Sequence, residues 1–262
     1  RRCFTTRSIR LFADRIGISK ADSWIDMSIL EDCLREDLNE CAARRIAVLK
    51  PLKLIIDNYP EDQQEDCFAP NHPQKPEWGK RTIPFSKTLY IERDDFMEVP
   101  TKGYFRLSPG AEVRLRYAFI VKCVQVDKNA QGEIEAIHCT YGPDTKGGPP
   151  GSESRKVKGN IHWLSAKHAQ PAEIRLYDRL FSDPYPDSGD KDYKTSLNPD
   201  SKEIITAYVE QLLCDALPEQ SFQFERNGYF IADRIDMKPG KAVFNRAVTL
   251  RDSWVKAAVT SF

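Results

Sequence analysis

From about residue 46 the sequence stops sustaining any long periodic stretch. Short apolar runs are separated by turns rich in Pro, Gly, Asn and Asp. That punctuation is the signature of an all-β region built from short strands. The runs predict strands at 46–58, 83–91, 112–126, 133–141, 156–164, 172–180, 221–226, 229–234 and 243–250. Asn227-Gly228 separates two of them and is the strongest hairpin signal in the chain. Alternation would put Phe222 and Phe224 on one face of that hairpin, with Gln223 and Glu225 on the other.

The first 46 residues read differently. Ile9, Phe12, Ala13 and Ile16 recur at helix spacing, and Gly17 can end the element. A second helix is expected from about 28 to 45. Ser28 with Glu31 suits a capping box, and Ile29, Cys33, Leu34, Leu38, Cys41 and Ala42 form its apolar stripe. Arg44 and Arg45 would then sit in its last turn, the favourable sign at a helix C-terminus. The segment 201–217 mixes a helix-start signal, Asn198-Pro199, with the β-formers Ile204, Ile205, Thr206, Tyr208 and Val209, and periodicity leaves both readings open. Residues 181–200 read as surface turns, and 141–154, with Gly147, Gly148, Pro149, Pro150 and Gly151, as a long flexible loop.

An apolar content of 40 % in 262 residues is enough for real cores, so wholesale disorder is excluded. No run approaches the length of a membrane span. Lys plus Arg number 39 and so do Asp plus Glu, which argues against a protein that coats nucleic acid by bulk attraction. The zero hides segregation. Residues 102–128 carry six basic residues against two acidic ones, and 146–179 carry seven against three, while Glu61, Asp62, Glu65 and Asp66 concentrate acidity elsewhere.

The run Val113 to Phe119 concentrates this charge. Alternation buries Val113, Leu115, Tyr117 and Phe119 and aligns Arg114 with Arg116 on the other face. Two residues along a strand span about 6.6–6.8 Å, close to the repeat of an extended single strand of nucleic acid. Arginine forks onto phosphates and base edges and stacks on bases. Arg106 could reach the same ligand from the turn before Pro109-Gly110. A solvated arginine pair on a barrel would have the same pattern.

No catalytic set emerges. The seven Cys lack a C-x-x-C, and the four His make no zinc spacing, which fits scattered core thiols in a reducing cytosol. There is no phosphate-binding glycine loop, no nucleophile elbow and no paired-carboxylate spacing. His162 beside Trp163 reads as a strand residue, not a general base. The chain opens on Arg1-Arg2 without Met, as expected of a processed chain or an excised piece.

Many stretches carry a resemblance. Among them are Ser8-Ile9-Arg10, Arg15-Ile16-Gly17, Leu34-Arg35-Glu36-Asp37-Leu38-Asn39, Pro70-Asn71-His72-Pro73, Val113-Arg114-Leu115-Arg116 and Lys156-Val157-Lys158-Gly159. The most specific are the run Glu173 to Phe181, Phe222-Gln223-Phe224-Glu225-Arg226 with Gly228-Tyr229-Phe230, and Phe244-Asn245-Arg246 with Leu250-Arg251-Asp252-Ser253-Trp254. Over nearly its whole length the chain resembles the C-terminal, anticodon-binding region of bacterial-type glutaminyl-tRNA synthetases.

The resemblance implies a mainly β fold with an N-terminal helical segment and two β-barrels, a barrel type shared with a 5S rRNA-binding ribosomal protein. It implies a helical subdomain at 1–46, a proximal barrel from 47–100 and 178–262, and a distal barrel inserted at 101–177. It also tips 201–217 towards strand. The family's ATP-binding motifs and Rossmann catalytic domain have no counterpart in these residues, so catalytic residues, cofactor and metal are expected to be none here, with ATP and Mg belonging to the parent ligase. The implied partners are the anticodon arm of tRNA(Gln) and the catalytic domain in cis, for a cytoplasmic monomer without a membrane. The implied anticodon contacts are Arg44, Arg106, Arg114, Arg116, Gln223 and Arg226. Gly103 and Phe105 depart from the better-known pattern, which has glutamine and lysine there; Phe105 would instead stack on a base. The alternative is a stand-alone rRNA-binding barrel, disfavoured by the length and by the run Glu173 to Phe181.

Overall fold

A computed structural model of the chain describes residues 2–20, 23–147, 155–189 and 191–251. The Gly148 to Gly151 part of the expected loop and the motif residues Asp252-Ser253-Trp254 lie outside the described residues. Among the described residues the chain is mostly β, with two α-helices towards the N-terminus and two nearly closed, barrel-like sheets. It divides into two compact units. One comprises Arg1–Ala43, Ala172–Thr206 and Asp215–Phe262; the other comprises Arg44–Pro171 and Ala207–Cys214. This is not the expected division, which joined 47–100 to 178–262. The strand Pro51–Ile56 lies between Ile134–Tyr141 and Thr88–Glu92, with Leu54 beside both Ile137 and Leu89. Non-local apolar pairing therefore puts 47–100 and 101–171 around one core.

In the unit built on 44–171, the strand order is Gly159–Ile161, Glu112–Leu115, Ile120–Lys128, Ile134–Tyr141, Pro51–Ile56, Thr88–Glu92 and Trp163–Ser165. The first and last strands of that sheet are consecutive in sequence, separated only by His162. The barrel therefore closes on a single residue, leaving little free edge. His162 is fully buried, and its Nε2 lies 3.4 Å from Glu92 Oε1. Burial pushes the Glu92 carboxyl up, but hydrogen bonds from His162 and from the Leu49 and Lys50 amides outweigh it and hold Glu92 below the usual carboxylate range. Phe85 contacts Tyr59, Phe119 and Trp163 edge-on at 5.0–5.2 Å, the arrangement aromatic quadrupoles favour.

The expected strand 83–91 is two strands, Lys80–Phe85 and Thr88–Glu92, in different sheets. Lys80–Phe85 pairs with Glu65–Pro70, a strand whose acidic start concealed the buried alternation of Cys67 and Ala69. Arg81 on that hairpin holds Glu210 bidentately, with Nε 2.8 Å and Nη2 2.9 Å from the carboxylate oxygens. Glu210 also accepts the Ile46 amide at 2.6 Å, and Arg81 Nη1 donates to Pro70 O at 2.7 Å. Both side chains are buried, so each charge depends on the other.

In the unit that contains the N-terminus, α1 (Thr6–Ile16) starts where Thr5 Oγ1 accepts the Ser8 amide and stops at Gly17, whose φ of 70° suits glycine. Helix α2 (Met27–Cys41) is capped not by Ser28 but two residues earlier: Asp26 Oδ1 accepts the Ser28 amide at 2.7 Å. Glu31, expected to complete a capping box, instead meets Arg2 at 2.5 Å. The helix ends at Cys41, and Arg44 and Arg45 belong to the short strand Ala43–Arg45, so they do not cap it. Leu34, Leu38 and Ala42 pack on Tyr229, Ala247 and Val248. Strands Ser221–Phe224, Gly228–Ala232, Val243–Val248, Gln170–Tyr177 and Lys202–Val209 follow one another across the sheet. The open segment 201–217, of which Ala207–Cys214 belongs to the other unit, is thus strand, then a 3-10 turn at Gln211–Asp215. Arg175 joins this sheet to the following turn through Glu173, Asp233 and Asp236 at 2.6–3.1 Å. No helix among the described residues is long and apolar enough to cross a membrane.

Candidate nucleic-acid interface

The unit built on 44–171 carries most of the candidate residues. Strand Glu112–Leu115 buries Val113 and Leu115 as alternation requires, but it ends there. Ala118 N donates back to Leu115 O, and Tyr117 takes a positive φ of 65°, so Tyr117 lies in a turn, half-buried, instead of on a strand face. Arg114 and Arg116 are both half-buried. Arg114 Nη1 donates to Thr145 O at 2.8 Å and Ala118 O at 3.3 Å, and Nη2 to Arg155 O at 3.2 Å. Three backbone carbonyls thus occupy a guanidinium that alternation would have aimed at solvent. The Arg116 guanidinium lies 5.1 Å from the centre of the Tyr117 ring, within cation–π range. Its backbone is fixed on both sides: Arg116 N donates to Ile161 O, and Arg116 O accepts from Trp163 Nε1, each at 2.9 Å.

Arg106 is differently placed. Its side chain is 46 % exposed, and its contacts, to Asp94 O and Asp95 Oδ1, both at 3.1 Å, use Nη1 alone. Nε and Nη2 remain able to fork onto a ligand. Asp95 itself is wholly buried, so the 3-10 turn Arg93–Asp95 is a rigid seat for the guanidinium. Phe105, the next residue back, is 56 % exposed, and the Lys158 ammonium lies 5.0 Å from its ring centre. Exposed Lys102, Arg155 and Lys156 accompany them in sequence or on the neighbouring strand approach. Lys158 entered the sequence reading only within a motif; its contact with Phe105 depends on the parallel pairing of 159–161 with 113–115, which spacing does not announce.

Arg44 does not present itself to solvent: it is 6 % exposed, its amide donates to Asn71 O at 2.8 Å, and its carbonyl accepts from Arg45 Nη1 at 2.7 Å. It fixes the loop Asn71 to Gly79, where Lys75 lies 4.6 Å above the Trp78 ring. In the other unit, Gln223 Nε2 donates to Tyr229 Oη at 2.8 Å, and that hydroxyl reaches Asn39 Oδ1 at 3.3 Å on α2. The amide is thereby oriented, with its carbonyl oxygen turned away from Tyr229. Arg226, half-buried, sits in the hairpin turn itself. The turn is longer than the Asn227-Gly228 signal implied: Phe224 pairs with Gly228, Asn227 N donates to Phe224 O, and Arg226 takes a φ of 69°. Phe222 and Phe224 are buried as alternation requires, and so is Glu225.

Chemically, these groups offer donors, one oriented amide and an exposed ring. The buried Ser165 hydroxyl lies 3.0 Å from His168 Nδ1, but at 2 % exposure it meets no substrate.

Residues 42–142 match one family model, and residues 160–233 a second. Both are described as the anticodon-binding domain of class I tRNA synthetases (E and Q). The chain is 68 % identical over 256 residues to a protein of Nitrosomonas europaea named glutamine–tRNA ligase, covering 98 % of this chain and 46 % of that one. Proteins of the same name from Cupriavidus metallidurans and Polynucleobacter asymbioticus are 61 % and 56 % identical, over 98 % and 97 % of this chain and 44 % of each of theirs. The chain therefore spans about half the length of the curated relatives it matches. With two such domains matched in order on two barrel-like sheets, the chain belongs to the anticodon-binding domain family of class I glutamyl- and glutaminyl-type tRNA synthetases.

Proposed function

We propose that this chain binds tRNA(Gln) and reads its anticodon as the C-terminal part of a glutamine–tRNA ligase. In this reading the attachment of glutamine, with ATP and Mg, is performed by a catalytic domain in cis, and the residues described above recognise without reacting. The observation that carries it is Arg106: a guanidinium seated on a buried carboxylate through one nitrogen, with two nitrogens left for a ligand, beside an exposed aromatic ring. Anticodon bases unstacked from their loop expose Watson–Crick edges to such donors and rings. Arg106 and Arg116 supply planar donors, Phe105 a stacking face, Gln223 an oriented amide, and Arg226 a cation at a turn. Arg114 acts from beneath, through the carbonyls of Ala118, Thr145 and Arg155, and Arg44 acts through the backbone that holds Asn71. The alternative of an rRNA-binding barrel is not favoured, because both matched stretches are described as anticodon-binding domains of tRNA synthetases. The seven free cysteines suit a reducing cytoplasm, and the protein acts as a monomer.

The test is the affinity of the 262-residue chain for tRNA(Gln) and for an anticodon-swapped tRNA at one stated salt concentration. Preference for the cognate tRNA is expected, and Arg116→Ala should erode that preference selectively. Equal affinity for the two RNAs would sink the reading. A loss in Arg116→Ala that is uniform across both would reduce that residue to a phosphate contact.

A further inference from the structure

Gly159 is buried at the edge of the barrel seam, and its φ is not in the left-handed region, so no turn requires glycine there. What requires it is proximity. A Cβ at 159 would overlap the carbonyl oxygen of Phe105 and lie 2.6 Å from Val113 Cγ1. A carbonyl cannot give way as the tip of a side chain can. A glycine inside a strand often marks such a close approach of another backbone. The 101–106 loop therefore rests directly on strand Gly159–Ile161, and its other ties include Tyr104 N to Thr101 O at 3.0 Å, Tyr104 Oη to Asp94 O at 3.3 Å, and the Arg106 contacts to Asp94 and Asp95. One residue before this contact, Lys158 reaches the Phe105 ring at 5.0 Å. Residues 158 and 159 thus fix both the height of the Phe105 backbone and the position of its ring.

We infer that Gly159 and Lys158 are positioning residues that set Phe105 as a shelf for one unstacked base of a single-stranded RNA loop. The inference rests on the anticodon-binding reading and deepens it. A cation against a ring and a base stacked on that ring reinforce one another, because the ammonium draws on the ring's negative face. A side chain at 159 lifts the Phe105 backbone and misplaces the shelf and the neighbouring Arg106 together, without touching RNA itself.

The experiment compares tRNA(Gln) and anticodon-swapped tRNA binding by the wild-type chain, Gly159→Ala, Phe105→Ala and their double variant at fixed salt. Phe105→Ala is expected to weaken cognate binding roughly 5- to 100-fold, the scale of one base–aromatic stack. Gly159→Ala should bring a comparable loss, and the double variant should bind within about twofold of Phe105→Ala, since the two act through one feature. Losses that multiply, or a Gly159→Ala chain that binds like wild type, would overturn the inference. Should Gly159→Ala fail to fold, the exposed Lys158→Gln carries the test: it should weaken binding when Phe105 is present and have no effect when Phe105 is already Ala. An effect of equal size in both backgrounds makes Lys158 a plain phosphate contact and overturns the shelf. Coupling between these positions with no preference for the cognate anticodon would retain the shelf and refute the anticodon reading instead. Hydrogen exchange at the Tyr104 amide adds a readout without RNA: faster exchange in Gly159→Ala is expected, and unchanged exchange would contradict the positioning role.

Discussion

The hairpin Glu65–Pro70/Lys80–Phe85 and the loop 101–106 each present an arginine, and they use it in opposite ways. Arg81 directs its guanidinium inward, onto a buried carboxylate and a carbonyl. Arg106 gives up one nitrogen and keeps two in reach of solvent. The residue type is the same, yet one holds the fold and the other is available to a ligand. The difference lies in how many protein acceptors surround each guanidinium. Arg114 shows that this number overrides strand alternation: its pattern says outward, but three carbonyls capture it.

The contrast breaks most visibly from the inside. Glu210→Ala leaves Arg81 buried without its counter-charge and should cost about 3–5 kcal/mol, measured by denaturant unfolding. A loss below ~1 kcal/mol would mean that water or rearrangement replaces the pair. Arg106→Lys is the outward counterpart. It keeps a cation near Asp95 but loses the planar fork, so cognate tRNA affinity should fall about tenfold while unfolding stays near wild type. If stability falls and affinity does not, Arg106 belongs with Arg81.

A third comparison separates backbone from charge at Arg226. Its φ of 69° penalises any side chain with a Cβ, so Arg226→Gly should be more stable than Arg226→Ala by about 1 kcal/mol. Both remove the cation and should lower the salt slope of tRNA binding alike, by about one unit if it meets a phosphate. Equal melting temperatures for the two variants would deny the strain. The smallest effect concerns His138, whose ring nitrogens face Asp57 at 2.7 Å and Asp127 at 2.9 Å. The Asp57 hydrogen bond, more than Asp127, raises its pKa against the opposing pull of burial. A raised folded-state pKa contributes stability that is complete below the unfolded value near 6.5 and is lost as pH rises through the higher folded value. His138→Gln should flatten that shallow decline; a profile identical to wild type would exclude His138 as its source.

Much of the architecture was legible because period-2 burial is a local signal. Val113, Leu115, Phe222 and Phe224 are buried as alternation demands. What failed was the non-local part. Leu54 pairs with Ile137 across a barrel, and nothing near either residue says so. That pairing, not a linker, decided where the units divide. Turn chemistry failed in the same way: non-glycine residues at positive φ, Tyr117 and Arg226, end strands that propensity would extend. The candidate contacts were legible as residue types through resemblance, whereas their availability was not. Arg44 and Arg106 look alike in sequence, and only the surrounding acceptors and burial distinguish them.

The buried pair between Arg81 and Glu210 joins residues 129 positions apart. During synthesis the arginine emerges long before its partner. At about 5–20 residues per second the interval is roughly 6–26 s. Throughout it, the hairpin that carries Arg81 has an unneutralised cation facing its own interior, so the core around it cannot settle into its final packing. The last short segment of this unit, Ala207–Cys214, therefore acts as a completion signal: the ribosome must travel well past the barrel before the barrel is finished.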